Sequence, residues 1–77
     1  MSYDFFLRVF WECESREALE RTAEYWRAKL NAEFVDKNHP ELRENLSALE
    51  SAYTEARAML PAWLKERREM EEREQDD

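Results

Sequence analysis

Three kinds of side chain in this sequence could carry chemistry: a single thiol, Cys13, a single imidazole, His39, and a large set of carboxylates. A thiolate activated by an imidazole is a nucleophile, and a fold could in principle bring the two together. Cys13, however, follows Phe10 and Trp11 in an aromatic stretch, where a thiol is ordinarily an inert core or interface group. His39 stands immediately before Pro40, at the expected start of a helix, where a polar ring satisfies exposed backbone groups. The sequence has no second histidine, and no Glu-x-x-His pattern of the kind that holds zinc or a di-iron pair. It has no glycine either, which removes any phosphate-cradling loop. The 19 acidic residues are interleaved with 12 basic ones, the pattern of solvated helix faces or of an acidic recognition surface. These residues point away from catalysis and imply neither a cofactor nor a metal.

The elements that position them come from a short chain. With 77 residues a single domain is expected, spanning 1–72, and a core of that size is marginal without disulfides, a metal or association. One cysteine cannot close an intrachain bridge, so the remaining support is a second copy or another protein. The lone thiol and an N-terminus without leader character fit a reducing cytoplasm. The longest apolar stretch, Tyr3 to Trp11, is interrupted by Asp4 and Arg8 and falls short of the roughly 20 residues a bilayer span needs, so no membrane span is expected.

Between Tyr3 and Cys13 the odd positions are all apolar, a period of two that predicts a β-strand over 3–12. The competing reading makes the same residues helical, with Ser2 as the cap and Phe6, Phe10 and Cys13 on one side. Ser15 is placed to cap a helix over 16–36, whose apolar stripe is Leu19, Ala23, Trp26, Leu30 and Phe34. Glu17 with Arg21 and Glu24 with Arg27 have the spacing of weak surface pairs. Asp36 to His39 break the pattern, and Pro40 opens a second helix over 40–60, antiparallel to the first. Its seam of Leu42, Leu46, Leu49, Tyr53, Ala56, Leu60 and Trp63 recurs at alternating spacings of four and three. Pro61 predicts a kink or break near residue 60, followed by a kinked helical extension over 61–72 that turns Trp63 and Leu64 onto a new surface. Residues 73–77 read as a disordered acidic tail.

The expected fold is mainly α: an antiparallel helical hairpin preceded by a short strand or helical extension, in a dimeric four-helix arrangement. Leu19, Trp26, Leu30, Leu42, Leu46, Leu49, Tyr53 and Leu60 fill the hairpin core. Small residues beside the second seam, Ser47, Ala48, Ser51, Ala52, Ala58 and Ala62, permit close approach of a third or fourth helix. One shared face cannot cover ten aromatics, so Phe5, Phe6, Phe10, Trp11, Tyr25 and Trp63 are expected at interfaces.

A net charge of −7 opposes direct binding to nucleic acid and favours a protein partner, in particular one with a basic or nucleic-acid-binding surface. The order strand, helix, helix over residues 3–60 resembles the ribbon-helix-helix repressors, which implies a DNA-binding transcriptional regulator as the alternative. In kind, a tiny, acidic, glycine-poor helical chain resembles the inhibitors that bacteriophages direct at host defence or regulatory proteins, and equally a small assembly chaperone. The leading expectation is a homodimeric, non-enzymatic protein that binds another protein and inhibits or scaffolds it.

Overall fold

A computed structural model describes residues 2–75, with side chains as far as Glu71. The chain is mainly helical, and the described residues form α1 (Tyr3–Trp11), α2 (Arg16–Glu33) and α3 (Pro40–Gln75), with no strand among them. Residues 3–12 are therefore not the strand that their period of two predicts. A lone strand would leave its backbone donors and acceptors unpaired, whereas a helix pairs them locally. Ser2 caps α1, its hydroxyl accepting from the Phe5 amide at 3.3 Å and its carbonyl from the Phe6 amide at 3.2 Å. Nine residues make a marginal helix on their own, so α1 depends on what it packs against.

Ser15 caps α2 through the Ala18 amide at 3.1 Å. The helix stops at Glu33, short of residue 36, because Phe34 turns extended and Lys37 folds back onto the carbonyls of Asn31 and Phe34. Asp36 then accepts from the Asn38 amide at 3.0 Å, and His39 Nδ1 accepts from the Glu41 amide at 3.1 Å, capping α3.

The helices form an up-down-up bundle. Phe6 beside Trp26 and Cys13 beside Thr22 set α1 antiparallel to α2. Tyr53 beside Glu20 and Glu50 beside Arg27 set α3 antiparallel to α2. α1 packs most extensively on α3, with Phe10 against Tyr53 and Trp11 against Trp63. The 36 residues of α3 rise about 54 Å and set the longest dimension of the molecule, 55 Å.

α1 takes the third-helix place beside the small residues of α3: Ala52 and Ala56 are fully buried and Ala48 half-buried, while Ser47, Ser51, Ala58 and Ala62 stay exposed. Leu19, Leu30, Leu42, Leu49 and Leu60 are buried, and Trp26, Leu46 and Tyr53 pack against them half-buried. To these the fold adds Phe6, Phe10 and Cys13 from α1.

Two expectations about α3 are corrected. It runs through Pro61 without interruption, so 40–60 and 61–72 are one helix, and residues 73–75 belong to it as well; Asp76 and Asp77 lie outside the described residues. Trp63 is not turned outward but buried at 6% exposure, because Trp11 of α1 lies against it, ring centroids 4.6 Å apart.

Candidate protein interface

Phe6, Phe10 and Trp63, which the sequence assigns to an interface, are spent on the inside of the chain. Phe6 and Phe10 stack on each other at 6.5 Å, and Phe6 meets Trp26 edge to face at 5.8 Å. The outer aromatics are different. Phe5 retains 40% of its surface, Trp11 38% and Tyr25 59%.

These three continue the core to the surface on both flanks of α1. On the α2 side Phe5 meets Trp26 at 5.4 Å and Trp26 meets Tyr25 at 5.6 Å, a ladder of edge-to-face rings running from the buried Phe6 to solvent. The Lys29 ammonium lies 5.0 Å from the Trp26 ring centre and 5.9 Å from that of Tyr25. On the α3 side a shallow open groove is lined by Asp4, Leu7, Arg8, Trp11 and Trp63. Residues 4, 7, 8 and 11 share one face of a helix, so the groove follows directly from the spacing once α1 is helical.

Arg67 stands four residues past Trp63, where the next position of the α3 seam falls. Its Nη1 donates to the carbonyl of Cys13, in the linker between α1 and α2, at 3.2 Å, and its guanidinium lies 4.9 Å from the Trp11 ring centre. Spacing alone carries no signal for this contact, because it joins residues 54 apart in sequence.

Across the α2–α3 seam a polar cluster joins Glu20, Arg27, Glu50 and Tyr53. Arg27 pairs with Glu50 through Nε and, at 3.1 Å, through Nη2, and the Arg27 guanidinium lies 5.4 Å from the Tyr53 ring centre. This is the ion pair among the described residues, in place of the Glu24 partner that spacing suggests. Tyr53 donates its hydroxyl to Glu20. That hydrogen bond, with burial second, holds the Tyr53 phenol above its ordinary value of 10.0, against the opposing pull of Arg57 and Arg27. The neutral phenol is the form the fold prefers, so its contribution is complete below pH 10 and is lost as pH rises through the raised value. Tyr53→Phe is expected to lose stability less steeply than wild type above pH 10; parallel urea midpoints across that range would contradict the assignment.

The two groups that could have formed a nucleophile and base are far apart. The Cys13 thiol is buried, donating toward the Val9 carbonyl at 3.9 Å and Thr22 Oγ1 at 3.6 Å, at the level of Arg67. His39 sits at the opposite end of α3, about 40 Å away along the helix axis. Among the described residues no group of three His, Cys, Asp or Glu side chains is placed to hold a metal, and no helix is long and apolar enough to cross a membrane. No protein-family model matches the chain, and no curated protein or solved structure is significantly similar to it.

Proposed function

We propose that the chain is a non-enzymatic interaction module that binds another protein and inhibits or scaffolds it. One observation carries this reading: after the core has closed, Phe5, Trp11 and Tyr25 remain exposed, with Phe5 joined edge to face to the buried Phe6, Trp11 to the buried Trp63, and Tyr25 to the half-buried Trp26. Tyrosine and tryptophan concentrate at the centres of protein interfaces, and rings held by buried neighbours lose little freedom on binding. With a net charge of −7, a partner carrying a basic surface is steered toward the chain. The wide separation of Cys13 from His39 supports a role without catalysis.

The ribbon-helix-helix alternative is not carried forward, because α1 replaces the strand on which that likeness rested. A homodimer remains part of the proposal, but not as a four-helix bundle of two hairpins, since α1 of the same chain occupies the third-helix place.

A photo-reactive side chain at position 25 tests the proposal in the cell that makes the protein, with one at Glu44 as the control. A single defined heterologous adduct from position 25, displaced by excess unmodified chain and absent from position 44, is the expected outcome. Equal adducts from both positions, or none from position 25, would reject the aromatic surface as the binding site.

A further inference from the structure

The seam between α2 and α3 ends where α2 begins, at Arg16. Across it Tyr53 donates its hydroxyl to Glu20. Because the two helices are antiparallel, one turn back along α2 and one turn on along α3 bring Arg16 level with Arg57. The two arginines line one shallow depression, together with Leu60, Pro61 and Leu64. No carboxylate belongs to that lining, although the chain carries 19 acidic residues against 12 basic ones. The other depressions differ: the groove beside Trp11 has Asp4 in its wall, and the one beside Cys13 has Glu12 and Glu14. The next depression along α3 sets Glu14 and Glu71 beside Arg67 and Arg68. The guanidiniums of Arg16 and Arg57 make no hydrogen bond, ion pair or ring contact among the described residues. Glu20, one turn from Arg16, is engaged by Tyr53, and Glu14 and Glu17 lie outside the lining. Arg16 also opens α2, at the positive end of the helix dipole. Positive groups therefore meet over an apolar floor with no anion among them.

We infer that this depression binds a carboxylate carried beside an apolar group, and that its source is an acidic side chain next to a large apolar one in a protein partner. The source rests on the reading of the chain as an interaction module. The chemistry of the site comes from its lining. A carboxylate placed between two guanidiniums relieves their mutual repulsion and accepts charge-assisted hydrogen bonds from both. Its apolar neighbour lies on the floor, where Leu60 is already buried and the exposed Pro61 and half-buried Leu64 are the surface that it covers. Such a site adds selectivity that net charge does not provide. At −7 the chain attracts any basic surface, whereas the Arg16–Arg57 site favours a partner that also presents an acid beside an apolar residue. Phe5, Trp11 and Tyr25 are not part of the depression, so the two contacts are separate.

Titration of the full chain, followed through its amide NMR signals, provides the test. Three probes are used: acetyl-Leu-Glu-amide, which carries a carboxylate beside an apolar side chain, its glutamine analogue, and inorganic phosphate. The expected result is saturable shifts centred on residues 16, 57 and 64 with the glutamate peptide, and binding weaker by about fivefold or more with each of the other two. Arg16→Ala and Arg57→Ala should each weaken the glutamate peptide by about fivefold, the upper range for one exposed ion pair, and the double variant by about tenfold or more. Arg43→Ala, at the far end of α3, should leave it unchanged, and the spectra of all variants report the fold in the same experiment. Equal binding of the glutamine analogue or of phosphate, shifts that persist in the double variant, or no saturable shift at all would overturn the inference. Cross-linking from position 25 reports on the aromatic surface independently, so the two readings fail separately.

Discussion

Phe10→Ala is expected to lower the free energy of unfolding by about 3–5 kcal/mol, the range for removing a fully buried aromatic ring. A chain of 77 residues has roughly 4–12 kcal/mol in total, so this variant loses at least about a quarter of its stability. The reason is positional. Phe10 stacks on Phe6 and meets Tyr53, so it ties α1 to α3. Tyr25→Ala, at an exposed position, should change stability by no more than about 0.5 kcal/mol. Urea denaturation of the two variants separates the rings that make the fold from those that do not. A loss below 1 kcal/mol for Phe10→Ala would mean that α1 is not packed as described.

Pro61→Ala should act in the opposite direction and stabilise the protein by about 2 kcal/mol. Proline in a helix interior is about 3 kcal/mol less favourable than alanine, and the greater freedom alanine gives the unfolded chain offsets up to about 1 kcal/mol of that. The ring of Pro61 is exposed, so its removal leaves no cavity, and the Arg57 carbonyl regains a backbone donor. A higher urea midpoint is the expected reading. A lower one would mean that the proline shapes α3 so that Trp63 can reach Trp11.

The parts of the fold that sequence made legible are those with a local physical cause. Ser15 as a cap, Pro40 as a first helical residue and the seam from Leu42 to Leu60 each follow from backbone hydrogen bonding or helical periodicity, and each is where it was expected. Residues 3–11 were ambiguous for a reason that α1 itself supplies. Its Phe6 and Phe10 point into the core, Phe5 flanks α2, and Trp11 flanks α3, so apolar residues occupy a wide arc and imitate a period of two. A helix wedged between two others loses the narrow stripe by which helices are read. The same ambiguity divided the candidate site. Phe5, Trp11 and Tyr25 stay partly exposed, whereas assigning Phe6, Phe10 and Trp63 to the core required knowing that α1 fills the place beside Ala52 and Ala56.

The central claim is that the outer aromatics serve a partner while the inner ones serve the fold. Its most direct test is the adduct yield from a cross-linker at position 25 in a chain carrying Phe5→Ala, read beside the thermal midpoint. Phe5 is partly exposed and touches Trp26, so the expected result is a several-fold loss of adduct with the midpoint lowered by no more than about 8 °C. An undiminished adduct at that midpoint would contradict the claim.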